Sequence, residues 1–88
     1  MRESEIEKYL VERVSALGGL VRKLKWIGRR GAPDRFVKLP DKPVMLIELK
    51  APGKVPEPHQ EREIKRLRDA GVHVEVIDSK ELVDKIIC

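Results

Sequence analysis

The chain has 88 residues, 41% of them hydrophobic, and 19 Lys and Arg against 15 Asp and Glu give it a formal net charge of +4. This length predicts one domain over residues 1–88, and the mixed charge excludes a polybasic tail while permitting a nucleic-acid partner. The single cysteine, Cys88, excludes an intrachain disulfide framework and a cysteine zinc site. No apolar run approaches the roughly 20 residues that cross a bilayer, and no signal peptide is recognisable, so we expect a soluble, cytoplasmic protein.

Apolar periodicity predicts an α/β fold in the order helix, three strands, helix, strand, helix. The first helix has apolar residues at helical spacing and stops at Gly18-Gly19, and Ser79 is a candidate N-cap for the last. The predicted helices cover residues 3–17, 59–71 and 80–87. The predicted strands cover residues 20–27, 35–39, 44–50 and 72–78.

The connections between these elements predict a mixed sheet of about four strands flanked by helices. Short connections favour an antiparallel meander for the first three strands, and the return through a helix favours a parallel fourth strand. Residues 44–50, VMLIELK, form a nearly continuous apolar run. Such a run is typical of a central strand covered on both faces.

A carboxylate and an ammonium group lie on one face at the end of this central strand. Side chains alternate along a strand, so Glu48 and Lys50 point the same way. The turn at residues 40–43 can bring Glu48 close to Asp34, and two carboxylates that converge repel unless a divalent cation is bound between them. A local Glu-Lys ion pair is the simpler alternative.

Three short motifs occur in a fixed order: Gly31-Ala32-Pro33-Asp34, then Ile47-Glu48-Leu49-Lys50-Ala51, then Gln60. In this order, and with this succession of helices and strands, they resemble the VRR-NUC family of the PD-(D/E)XK restriction-endonuclease-like superfamily. The resemblance covers essentially the whole chain and is to the minimal, stand-alone phage and bacterial members. It implies a restriction-endonuclease-like core and metal-dependent hydrolysis of DNA phosphodiesters.

The resemblance also implies roles for individual residues. Asp34 and Glu48 would hold one or two Mg²⁺ or Mn²⁺ ions, together with the main-chain oxygen of Leu49. Lys50 would orient or deprotonate the attacking water, and Gln60 would point towards the same pocket. The alternative for Gln60 is a cap on its own helix or a contact with water.

The first helix is expected to add one more carboxylate, and its sequence leaves two candidates. Glu3 extends the apolar stripe towards the sheet and precedes an aliphatic residue by three, as the glutamate of the family does. Glu7 lies one turn further along the same side. Ser4 and Glu7 also match a capping box, which would give Glu7 a purely structural role and leave Glu3 just outside the helix. A third possibility is that neither contributes.

Basic residues surround Asp34 in the sequence. They are candidates for contacts with DNA phosphates, and such contacts give affinity without reading base sequence. The residues assigned to a DNA-binding surface are Arg29, Arg30, Arg35, Lys54 and Arg62. The alternative is a solvated basic loop. His59 is a poor candidate for a general base because it points about 100° away from Gln60 on the helix.

These observations predict a metal-dependent, structure-selective DNA endonuclease. A core this small gains from added apolar area, so we expect a homodimer, and two identical sites suit branched DNA such as Holliday junctions. The alternatives are a nuclease for flaps or single strands, a non-catalytic DNA-binding module of the same fold, and a structural subunit that binds only protein.

Overall fold

The computed structural model describes residues 1–88 and contains seven helices and strands in the predicted order. They are α1 (Glu3–Ala16), β1 (Leu20–Lys23), β2 (Arg35–Lys38), β3 (Met45–Leu49), α2 (Pro58–Asp69), β4 (Val74–Ile77) and α3 (Lys80–Ile87). None of the helices combines the length and the apolar character needed to cross a membrane.

The strands form one mixed sheet in the spatial order β1-β2-β3-β4. The pairs β1–β2 and β2–β3 are antiparallel and β3–β4 is parallel. All five residues of β3 are buried. The predicted meander, the parallel fourth strand and the central position of the apolar strand are therefore confirmed.

Helices cover both faces of the sheet. Alternation along β3 sends Ile47 and Leu49 to one face, where they pack with α1 and α3 in the larger apolar cluster. It sends Leu46 to the other face, where Leu46 packs with Ile64 of α2 and Val74 of β4. The even-numbered residues of β3, Glu48 among them, therefore lie on the α2 face.

Most elements differ from the prediction by one or two residues at an end, and the boundaries of α1 and β1 have identifiable causes. The helix α1 ends at Ala16, and Leu17, predicted to lie within it, is 48% exposed, because the chain turns at once through Gly18 with a φ of +82°. The strand β1 ends at Lys23 instead of residue 27. One more backbone hydrogen bond joins Leu24 N–H to Asp34 O at 2.9 Å, and the chain then leaves the sheet.

Of the two predicted N-terminal caps, one is confirmed and one is wrong. Ser79 caps α3 as predicted, since its Oγ accepts a hydrogen bond from Leu82 N–H at 3.1 Å. The possible capping box of Ser4 and Glu7 is wrong, because α1 already begins at Glu3, with Arg2 as an N-cap that makes no side-chain hydrogen bond.

Candidate active site

The topology brings several separate segments to the end of the sheet where β3 stops. The connection between β1 and β2 and the segment after β3 lie at this edge, because β1 and β3 run in the same direction and β2 in the opposite one. The N-terminal part of α1 lies there too, since Glu7 pairs with Arg35 at the start of β2. Each of these segments carries predicted site residues. The fold therefore gathers residues that are far apart in the sequence.

The strand register places Asp34 across from Glu48. Arg35 pairs with Ile47 in the antiparallel ladder, so one further step of the same register sets Asp34 opposite Glu48. The two side chains also interact electrostatically, since the negative charge of Asp34 raises the pKa of Glu48. The register therefore sets the two acidic residues on adjacent strands at this edge, and a cation shared between them stays a prediction.

Glu48 is an acidic side chain with little solvent around it. The residue is 7% exposed, and this burial is the main reason that its pKa is raised. Lys50 acts in the opposite direction, with Nζ 3.5 Å from Glu48 Oε2, and the charges of Asp34 and Glu3 raise the pKa further. Two further acidic residues, Asp34 and Glu3, therefore act on Glu48 besides its lysine partner.

The side chain of Gln60 connects α2 to this site. Its Oε1 accepts a hydrogen bond from Lys50 Nζ at 2.7 Å, and its Nε2 donates to Glu48 Oε2 at 3.1 Å. The same Oε1 accepts from Glu57 N–H at 2.8 Å, as part of a capping box at the start of α2. Both interpretations of Gln60 are therefore correct at once, because the cap holds the amide in place beside Lys50 and Glu48.

The two candidate carboxylates of α1 have different surroundings. Glu7 accepts hydrogen bonds from the guanidinium of Arg35 and is neutralised by it. Glu3 lies near enough to Glu48 for its charge to raise the pKa of that residue. This geometry favours Glu3 as the carboxylate next to the site, and its role stays a prediction.

The assignment of Arg35 to the DNA-binding surface is wrong. Its side chain is only 10% exposed, and its guanidinium is enclosed between Glu7 and Asp34, with Nη1 2.7 Å from Asp34 Oδ1. Arg35 is the first residue of β2, and alternation turns it towards α1 instead of towards solvent. It serves as a structural ion pair that also touches one candidate metal ligand.

The other predicted DNA-binding residues, Arg29, Arg30, Lys54 and Arg62, are exposed. Arg29 lies with its Nε 3.9 Å from Oε2 of Glu63 and keeps 59% of its side chain exposed. Sequence reasoning missed Glu63, a buried carboxylate on α2. The signal was present, since Arg66 follows three residues later on the same helix and its Nη1 lies 3.1 Å from Glu63 Oε1.

No group of three or more His, Cys, Asp or Glu side chains lies close enough together to hold a metal ion. The oxygen atoms at this edge are nevertheless of the type that binds a hard divalent cation. Lys50 N–H bonds to Ile77 O of β4 at 2.9 Å, so the backbone groups of Leu49 face β2. The residue that continues the register opposite Leu49 is Pro33, which has no amide hydrogen to offer the Leu49 carbonyl. Asp34, Glu48 and this carbonyl therefore present oxygen atoms of the kind that Mg²⁺ and Mn²⁺ prefer.

Comparisons with known proteins agree with this architecture. The family model of the VRR-NUC domain matches residues 4–81. The chain is similar to the putative nuclease p44 of Acyrthosiphon pisum secondary endosymbiont phage 1, with 48% identity over 93% of this chain and 88% of that protein. It is also similar to a solved VRR_NUC domain structure, with a TM-score of 0.87, 48% identity and coverage of 97% of this chain and 92% of the other. The predicted resemblance and the predicted fold are both confirmed.

Proposed function

The chain belongs to the VRR-NUC family, and from this we propose that it is a metal-dependent DNA endonuclease that hydrolyses phosphodiester bonds beside Asp34, Glu48 and Lys50. The observation that carries the proposal is the hydrogen-bonded group of Glu48, Lys50 and Gln60 at the end of β3. Carboxylates whose pKa is raised by burial beside a specific charge partner are concentrated at functional sites.

Asp34, Glu48 and the main-chain oxygen of Leu49 are the groups that would hold Mg²⁺ or Mn²⁺, with Glu3 as the nearest further carboxylate. A bound divalent ion makes water a better nucleophile at neutral pH and offsets the charge of the phosphate. The charges of Asp34 and Glu3 support this assignment, because a cation would offset the part of the rise in the pKa of Glu48 that these charges add to the effect of burial.

Lys50 has the position of a residue that acts on the attacking water and on the phosphate. Glu48 and Gln60 fix its ammonium group from two sides, so its remaining hydrogen can point towards substrate. There it would orient the water and stabilise the negative charge that develops in the transition state. Gln60 is a positioning residue in this scheme, since it sets the place of Lys50 and Glu48.

The exposed residues Arg29, Arg30, Lys54 and Arg62 would contact the phosphates on either side of the scissile bond. Such contacts are sequence-independent, so we propose that the enzyme selects DNA by its shape, with branched DNA such as Holliday junctions as the preferred class. We propose that it acts as a homodimer, because two sites related by a two-fold axis suit paired incisions.

A DNA-binding module without catalysis is the second candidate. The ion pair between Asp34 and Arg35 favours it, because that contact engages a carboxylate which the nuclease needs as a metal ligand. Cleavage experiments separate the two candidates directly.

The test uses labelled four-way junction, flap, nicked duplex and single-stranded DNA, each incubated with the purified protein in Mg²⁺, in Mn²⁺ and in EDTA. We expect cleavage only with a metal, strongest on the junction, and loss of cleavage in Asp34→Ala. Lys65→Ala is the matched control, since Lys65 is exposed and pairs with Asp69 on α2. Cleavage in EDTA, or by Asp34→Ala, would contradict the assigned site, and binding without cleavage would support the second candidate.

A further inference from the structure

Residues 26–33, which we call the arginine loop, form a closed and well-supported projection next to Asp34. The Nε1–H of Trp26 donates to Pro33 O at 2.7 Å and so joins the two ends of the loop. Further along, Gly31 has a φ of +84° and packs on the start of α2. A Cβ at Gly31 would lie 2.7 Å from Cδ2 of His59 and 3.2 Å from Cα of Gln60, so only glycine fits.

A buried acidic residue holds the loop from a second direction. Glu63, whose side chain is 7% exposed, lies 3.9 Å from Nε of Arg29 and also binds Arg66. The loop therefore rests on the same helix that carries Gln60. These contacts set the base of the loop beside the candidate active site, and an ordered base reduces the entropic cost of binding.

The tip of the loop is apolar. Ile27 is 94% exposed, more than any other large hydrophobic residue of the chain, and Gly28 beside it has open space where a side chain would stand. No acidic residue occurs between Trp26 and Pro33, while Arg29 and the exposed Arg30 follow the tip directly. An aliphatic group flanked by positive charge complements a polyanion with apolar base faces better than it complements a protein surface of mixed charge.

We propose that Ile27 is a wedge that enters between adjacent bases of the bound DNA while Arg29 and Arg30 hold the flanking phosphates. Inserted apolar side chains unstack a base step, and this costs least where pairing is already interrupted, as at a junction, a nick or a mismatch. The arginine loop would thus supply the selection for distorted DNA that phosphate contacts alone do not explain. This inference rests on the proposed nuclease function, and it assigns to Ile27 the preference of that nuclease for distorted DNA.

The test places 2-aminopurine, whose fluorescence rises when it leaves the stack, at successive steps of a four-way junction, a nicked duplex and an intact duplex. Binding is measured with Ca²⁺ in place of Mg²⁺, and cleavage separately with Mg²⁺. We expect the wild-type protein to raise the fluorescence at one step beside the cut. Ile27→Ser should abolish that rise and lower the preference for distorted over intact duplex about tenfold, whereas Ile27→Leu retains both.

Leu17→Ser is the matched control, because Leu17 is also an exposed aliphatic residue but lies at the far end of α1. It should behave as wild type. DNA cleavage without any rise in fluorescence, or an unchanged rise in Ile27→Ser, would overturn the wedge and leave the nuclease intact. A loss of dimer mass in Ile27→Ser by light scattering would show a protein contact instead and also overturn it. Failure of the wild-type protein to bind any of these DNAs would overturn both proposals.

Discussion

Two basic side chains lie at the same end of the sheet on opposite faces, and their surroundings differ. Arg35, on the α1 face, is enclosed by the carboxylates of Glu7 and Asp34. Burial alone would lower the pKa of Arg35, but these carboxylates outweigh the effect and raise it. Lys50, on the α2 face, has one carboxylate neighbour, Glu48, whose own pKa is raised because it is buried.

The difference distinguishes a structural ion pair from the candidate active site. On the α1 face the Arg35 guanidinium pairs with Glu7 and also reaches Asp34 at the end of the strand, and this arrangement holds the helix to the sheet. On the α2 face an uncharged amide, Gln60, takes the place of a second carboxylate, so the Lys50 ammonium keeps a hydrogen that neither Glu48 nor Gln60 accepts. Mutations on the two faces should therefore affect different properties of the protein.

The largest expected effect is on catalysis, from Lys50→Met. Loss of the ammonium group should lower the cleavage rate by about 10²- to 10⁴-fold, the usual contribution of a group that acts on the nucleophile or the developing charge. Some free energy of unfolding should be lost as well, because Lys50 is the charge partner of the buried Glu48, so cleavage is compared under conditions in which both proteins are folded. Single-turnover cleavage and urea unfolding measure the two properties, with Lys65→Met as control. Cleavage within a few-fold of wild type would show that Lys50 is only structural.

The next effect is on stability, from Arg35→Met. Removal of the guanidinium leaves Glu7 and Asp34 without a partner, and we expect a loss of about 2–3 kcal/mol in the free energy of unfolding. The value lies below that of a fully buried pair because Asp34 is 55% exposed. Urea unfolding measures the change, and Glu7→Gln in the same background should recover part of it. A loss below about 0.5 kcal/mol, the range of an ordinary surface residue, would show that Arg35 does not stabilise the fold and would remove the contrast between the two faces.

The sequence predicted the α2 face well and the α1 face poorly. The apolar run of β3 and the two-residue alternation place Glu48 beside Lys50 without knowledge of the rest of the fold. The surroundings of Arg35 depend on which face α1 covers, and a basic residue directly after Asp34 looks like part of a basic loop until that is known. The burial of Glu63 likewise depends on how α2 and the arginine loop meet, although the spacing of Glu63 and Arg66 and the possible cap at Gln60 were recognisable in the sequence.

The smallest expected effect is a pH dependence from Glu48→Gln, measured in EDTA. The raised pKa of Glu48 means that the folded protein binds this proton more tightly than the unfolded chain, so its stabilising contribution is present at low pH and is lost as the pH rises through the folded-state pKa. Glutamine does not titrate. The variant should therefore gain stability relative to wild type between acidic and neutral pH in urea unfolding. The opposite trend would mean that the effect of Lys50, which lowers the pKa of Glu48, outweighs the effect of burial, which raises it.

The central claim is that Asp34 and Glu48 share a divalent cation, and Mn²⁺ binding by the DNA-free protein tests it most directly. Calorimetric titration, with the melting temperature followed in parallel, should show that Mn²⁺ binds and stabilises the wild-type protein. Binding should be lost in both Asp34→Asn and Glu48→Gln and retained in Glu7→Gln, whose carboxylate is engaged by Arg35. Equal Mn²⁺ binding in all four proteins, or none in the wild type, would contradict the account.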